Sequence, residues 1–226
     1  MGTDLLKAEN PGIDKVLKRG TAEILERDAD GIFLLDTVSD AYMIASTDTD
    51  KAVQWILNHS YRDYRLFAAA GDFIADFIKE RLAFQNVLKC RQMVYSGKKI
   101  ELPQCALTTK PAFAEDLDFI LAHYNILSRE ELLKIILRGK LILGELDGKR
   151  VGFVGEHLEG SLGILYILPE YRKRGFGAYL EKYQMNEMLK EGYIPFGQVE
   201  EGNRKSLNLQ KKLGFTECSE FVYWFF

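Results

Sequence analysis

Leu162-Gly-Ile-Leu-Tyr-Ile-Leu-Pro-Glu-Tyr-Arg-Lys-Arg-Gly-Phe-Gly-Ala-Tyr-Leu180 is the stretch on which the fold turns. Its first seven residues are apolar and rich in strand formers, and Pro169 then closes the run because proline cannot donate to a sheet ladder. A basic triplet follows, Arg172, Lys173 and Arg174, and Gly175 and Gly177 lead into a helical pattern. Glycine lets the backbone turn tightly and approach a ligand closely. The free amides at a helix start, reinforced by the helix dipole, favour an anion. The stretch therefore predicts strand, basic loop and helix, with a pocket for a phosphate-rich ligand. Taken alone, a basic triplet before Gly-x-Gly is more often a solvated turn. It lacks the Gly-Lys-Ser/Thr ending of a Walker loop, and it fails the dinucleotide pattern because Leu180 stands at the third glycine position.

Downstream, the pattern predicts a strand over 194–199, a helix from about Arg204 to Leu213 and a last strand over 220–226. The closing Phe-Val-Tyr-Trp-Phe-Phe is bulky enough to require a place inside a sheet or against another subunit. Upstream, strands over 140–146 and 151–156 are joined by Asp147-Gly148, a hairpin signature. Ser128 with Glu131 three residues on reads as a capping box. A helix is expected over 112–124, carrying Phe113, Leu117, Ile120 and Leu121. The Gly, Pro and charges of Ser96–Pro103 mark a turn or linker. The chain thus divides into an N-terminal α/β module, 1–103, and a second domain, 104–226. In the module the pattern predicts helices over 14–27, from Asp48 and over 72–82, the last with Phe73, Phe77 and Leu82 on or near one side. Strands are expected over 31–36, 41–45, 64–70 and 86–95. Its alternating elements do not establish an internal repeat, and no chemistry announces itself there.

The 226 residues carry a formal charge of -3, which gives no support for broad attraction to nucleic acid or an anionic membrane. The opening MGTDLLKAENPG has neither a basic start nor an apolar run, and Leu6 stands where a myristoylation signal wants Ser or Thr. No stretch reaches the ~20 apolar residues of a membrane span. Three widely spaced cysteines and three histidines supply poor material for a metal site or a disulfide framework, so no metal is expected. The expectation is a reduced cytoplasmic protein with its cysteines in the core.

What surrounds the basic glycine loop resembles the GCN5-related N-acetyltransferase (GNAT) superfamily. The strand ends Ile167-Leu168-Pro169, the loop reads Arg172-x-x-Gly175-x-Gly177, and Asn203, Ser206, Lys212, Gly214 and Phe215 follow in the superfamily's order. In detail the region is closest to the FR47-like subgroup related to glycine N-acyltransferase. The resemblance implies an α/β fold with a mixed, mostly antiparallel central sheet, a splayed strand pair and flanking helices. It implies an N-acyltransferase, with acetyl-CoA or another acyl-CoA as donor and an unidentified primary amine on a small molecule or peptide as acceptor. Backbone groups at Ile167 and Leu168 would meet the pantetheine arm. The amides from Lys173 through Ala178, including Gly175, Phe176 and Gly177, would hold the pyrophosphate, helped by the side chains of Arg172, Lys173 and Arg174. Asn203 and Ser206 would lie along the donor. The amine attacks the thioester directly, so no nucleophilic cysteine is needed.

The pattern breaks at the proton chemistry. Relatives place a Tyr seven residues after the Asn, where this chain has Gln210, which is no general acid. Tyr166 and Tyr171 are substitutes by position. For the base, Glu156 and His157 form the leading local pair, with Glu159, Glu200 and Glu201 behind them. The relatives' Glu aligns with Ser161, and Gln198 either orients substrate or pairs across the sheet. His59 and His123 carry no motif. Phe176, Leu180 and Tyr183 read as packing, and Trp55 and Trp224 as core or interface anchors. A module that binds acyl-CoA without turnover is the alternative reading, and the N-terminal module is left as a wall of the acceptor site or a homodimer interface.

Overall fold

The computed structural model describes residues 9–60 and 62–226, so the opening residues read for targeting signals fall largely outside it. In chain order the elements are α1 (Pro11–Lys18), β1 (Ala22–Arg27), β2 (Gly31–Asp36), β3 (Ala41–Ser46), α2 (Thr49–Asn58), β4 (Phe67–Ala70), α3 (Asp72–Arg81) and β5 (Val87–Val94). There follow β6 (Thr108–Pro111), α4 (Leu117–Leu121), α5 (Arg129–Leu137), β7 (Leu141–Leu146), β8 (Lys149–Glu156), β9 (Leu162–Ile167), α6 (Phe176–Lys190), β10 (Phe196–Glu200), α7 (Arg204–Lys212) and β11 (Thr216–Phe225). One order occurs twice: β1-β2-β3-α2-β4-α3-β5 and β7-β8-β9-α6-β10-α7-β11. The sequence did not establish this repeat.

By contacts the chain forms two compact units, one of residues 1–94 with 196–226 and one of residues 95–195. In the first, the strand order is β1-β2-β3-β4-β11-β5-β10, antiparallel except for the β3/β4 pair. The two runs have traded their last strands. β11 lies where β5 would follow β4, and β5 lies between β11 and β10. The pairing explains the bulk at the C-terminus: Tyr223 and Trp224 stand opposite Ala69 and Ala68, and Phe225 opposite Phe67. Small residues on β4 make room for large ones on β11, which keeps the layer filled. On one face Phe33, Trp55, Ile56, Phe67, Ile78 and Phe225 pack together; on the other Val16, Leu34, Met43 and Trp224 do. Trp224 is also held by its ring N–H, which donates to Gln198 Oε1 at 2.6 Å.

The second unit is an antiparallel sheet in the order β9-β8-β7-β6. One face carries Ile120, Leu132, Ile135 and Phe153 from α4, α5 and β8. The other carries Ile142, Val154, Phe176 and Leu180, the last two from α6. The Asp147-Gly148 hairpin is present, with both residues at positive φ. Ser128 Oγ accepts from the Glu131 amide at 3.2 Å while Glu131 Oε2 accepts from the Ser128 amide at 2.8 Å, the expected capping box.

Three helices differ from expectation. The helix expected over 14–27 ends at Lys18; Gly20, at φ +72, turns the chain, and pairing with β2 makes residues 22–27 a strand. On α3 the buried face is Ile74, Ala75 and Ile78, leaving Phe73 56% exposed. The helix over 112–124 is broken into a 3-10 turn at Ala114–Asp116 and the short α4. Asp116 is the cause: its buried carboxylate accepts from the Phe113 amide at 2.9 Å and pairs with Arg150 at 2.5 Å.

Candidate functional site

The second unit builds the basic loop from a disturbed strand. Gly155 pairs with Gly163 and Phe153 with Tyr166, so Val154 faces two residues, Ile164 and Leu165. This is a β-bulge, and Ile164 sits in it at φ +55, a conformation rare for a β-branched residue. Such strain is held in place only by its surroundings and clusters at functional sites. The ladder then resumes, and the Leu168 amide donates to Val151 O at 2.9 Å. Pro169 opens a 3-10 turn to Tyr171. Lys173 at φ +62 and Gly175 at φ +81 are both left-handed, which delivers the chain to α6.

Gly175 is the N-cap of α6 and offers no side-chain cap, so the first-turn amides of this 15-residue helix have no acceptor from that side chain. Arg172, Lys173, Arg174 and Gly175 are exposed, and Phe176 is buried. A Cβ on Gly177 would lie 3.7 Å from Ile167 Cγ1 and 3.8 Å from Leu165 Cδ2, so the helix start rests against the end of β9. The predicted donor residues Ile167, Leu168 and Arg172 through Ala178 are therefore one continuous feature. Arg172 turns back on it: Nε donates to Ile167 O at 2.8 Å, and the guanidinium lies 5.2 Å from the Tyr166 ring centroid. Arg174 lies 5.5 Å from the ring of Tyr171. Asn203 and Ser206 belong to the other compact unit, where Asn203 Oδ1 caps α7 by accepting from the Ser206 amide at 3.1 Å.

The acid–base candidates separate by face. Glu156 is 2% exposed and looks to α6: Gln184 Nε2 donates to its Oε1 at 2.6 Å, and Lys140 Nζ is 3.9 Å away. The His157 ring fills the space over Gly163, its Nε2 2.5 Å from where a Cβ there would stand. Tyr166 belongs to the opposite cluster, half-buried against the α4–α5 core. Its ring stacks on Phe153 at 5.8 Å and on His123 at 5.0 Å, the latter nearly parallel at 14°. Glu159, buried in the turn before β9, accepts from Ser161 Oγ. Burial, and then the nearby Glu159 carboxylate, push the Tyr124 phenol up to about 12. Leu158, Tyr124 and Tyr166 pack against one cluster, so Glu159 lies beside residues of the face that holds Tyr166.

His123 had no motif around it, and no signal in the sequence tied it to Tyr166. The Ile164 bulge was equally silent. Gln198 pairs across the sheet with Gln92 and Trp224. Gln210 is buried on α7, and Glu201 is in an ion pair with Arg91 at 3.5 Å. Cys90 and Cys218 are buried, as expected of core residues, and Cys105 is half-buried. Among the described residues no helix is long and apolar enough to cross a membrane.

Residues 146–225 match the model of the family described as FR47-like protein. A search of curated proteins returns no match. Among solved structures, a Drosophila protein superposes with a TM-score of 0.68 at 14% identity, covering 98% of this chain and 93% of the other. A GCN5-related N-acetyltransferase from Kribbella flavida gives a TM-score of 0.62 at 13% identity, over 97% and 94% of the two chains. A GCN5-related N-acetyltransferase-like protein from Streptococcus suis gives 0.58 at 12%, over 100% and 99%. At these identities the likeness is one of fold.

Proposed function

We propose that the chain is an FR47-like member of the GCN5-related N-acetyltransferase superfamily and that it moves an acyl group from an acyl-CoA to a primary amine. The observation that carries the reading is the β9–α6 junction: a bulged strand, three exposed cations and a 15-residue helix with no side-chain cap at its start. Phosphate oxygens match such a site in both charge and hydrogen bonding. The amides from Lys173 through Ala178 would hold the pyrophosphate with Arg172, Lys173 and Arg174. The backbone from Leu165 to Leu168 would hold the pantetheine arm, and the bulge at Ile164 would present backbone to the thioester carbonyl. A bound acyl-CoA supplies the activated carbonyl; the chain supplies orientation and polarisation.

The acceptor side is then the face of Tyr166 and His123. Glu159, held by Ser161 on that face, is the proposed proton acceptor for the amine, directly or through water. Glu156 and His157 remain in the same turn region, but Glu156 is engaged with α6. Tyr166 is the proposed proton donor to the departing thiolate, since Gln210 cannot serve. Acetyl-CoA is the first donor to try.

The test is thiol release from acetyl-CoA across a panel of amino acids, polyamines and peptides. Amine-dependent release that disappears in Arg172→Glu/Arg174→Glu supports the reading. Binding of coenzyme A with no release for any amine would favour a sensing module instead.

A further inference from the structure

We infer that Arg172, Tyr166 and His123 form a stacked relay through which donor binding at the basic loop is felt at His123. The inference rests on the donor reading above. Arg172 stands in the loop proposed for the pyrophosphate, yet its Nε donates to Ile167 O and its guanidinium covers the Tyr166 ring. That ring in turn lies nearly parallel to His123, at 5.0 Å. His123 lies two residues past the end of α4, in the connection to α5, and Phe119 is a further aromatic neighbour, edge-on at 5.1 Å. Three side chains thus run from the donor loop to the segment bordering the face of Tyr166.

Arg172 is the element with two positions. A guanidinium held by one neutral carbonyl and a ring face is weakly held at an exposed site. A phosphate offers it charge-assisted and bidentate bonds, which are stronger. Movement of the guanidinium toward phosphate uncovers both Ile167 O and the Tyr166 face. The Tyr166 ring keeps its stack on Phe153 but loses the guanidinium beside it, and the His123 ring lying against it senses the change. The two positions supply the differential contact that any coupling between sites requires. Arg172 and His123 act here as positioning residues, not as groups that touch the reacting atoms.

The chain has only three histidines, so each imidazole can be followed by NMR in protein labelled with carbon-13 histidine. His59 lies in the other compact unit, beside Glu26, and serves as the internal control. Assignment comes from His123→Asn and His157→Asn. Titration with coenzyme A, its binding confirmed by calorimetry, should move the His123 signal in proportion to saturation. In Arg172→Lys, which keeps the charge but loses the planar stack, coenzyme A at saturation should leave the His123 signal in place. Tyr166→Ala should behave likewise and covers the case in which Arg172→Lys binds too weakly to saturate. A His123 signal that stays still while the wild-type protein binds coenzyme A would overturn the relay. So would an undiminished response in both variants. Absence of any binding heat is separately readable and would strike the donor reading itself.

Discussion

The β3–α2 and β9–α6 junctions occupy the same place in the two runs of elements and have opposite chemistry. Between β3 and α2 stand only Thr47 and Asp48. The Asp48 carboxylate accepts from the Lys51 amide at 3.0 Å, and Lys51 is in turn bound by Asp28 at 2.7 Å and Asp30 at 2.5 Å. That helix start is satisfied by its own chain and surrounded by carboxylates. Between β9 and α6 run residues 168–175, with two left-handed residues, three cations and a glycine at the cap. A helix N-terminus is most available to an anion when the chain leaves it uncapped and places cations beside it. The repeat supplies the scaffold twice; the loop decides which copy has the chemistry of an anion site.

The contrast is broken most severely by charge. Arg172→Glu/Arg174→Glu should weaken coenzyme A by about two to three orders of magnitude, as expected for losing two charge-assisted contacts and gaining two repulsions. Fluorescence competition or calorimetry reads it, with the melting temperature nearly unchanged because both side chains are exposed.

A purely structural carboxylate in the first run gives the converse. Asp36 is buried with Arg19 at 2.5 Å, Thr21 Oγ at 2.6 Å and Ser39 Oγ at 2.5 Å. Burial pushes its carboxyl up, but the bonds from Ser39, Thr21 and Arg19 outweigh this and hold it below the ordinary aspartate value. Its contribution is therefore fully present above that ordinary value and is lost as pH falls through the lower folded one. Asp36→Ala should cost about 3 kcal/mol, measured by urea unfolding near neutral pH, because it leaves Arg19 without its buried partner. The difference from wild type should shrink at the acid end, and coenzyme A affinity should not change.

Gly175→Ala touches both stability and binding. At φ +81 an alanine is strained by about 1–2 kcal/mol, and relief of that strain would turn the α6 amides. A melting point lower by a few degrees, together with roughly tenfold weaker coenzyme A, is the expected pair of results. Asp48→Ala should give the smallest change, about 1 kcal/mol from a lost cap with donor affinity intact. Equal loss of affinity in Asp48→Ala and Gly175→Ala would erase the distinction between the junctions.

The legible parts of this molecule are those fixed by local chemistry. The Ser128–Glu131 capping box, the Asp147-Gly148 hairpin and the β9–loop–α6 stretch carry their own signals, and the structure has each of them. What was not legible depends on partners distant in sequence. Residues 22–27 carry spacing that suits a helix, and only the adjacent β2 makes them a strand. The trade of β5 and β11 is a pairing choice that no local pattern encodes. Ile164 looks like an ordinary strand residue, yet pairing opposite Val154 puts it in a bulge at φ +55. His123 meets Tyr166 only because α4 packs on the sheet.

The β9–α6 junction, and not its counterpart at β3–α2, is the proposed seat of the phosphates of an acyl-CoA. Calorimetric titration of the wild-type chain with coenzyme A, and separately with pantetheine, tests it most directly. Saturable binding of one coenzyme A per chain is expected, with pantetheine, which lacks the phosphates, far weaker. No binding, two molecules per chain, or equal affinity for the two ligands would contradict it.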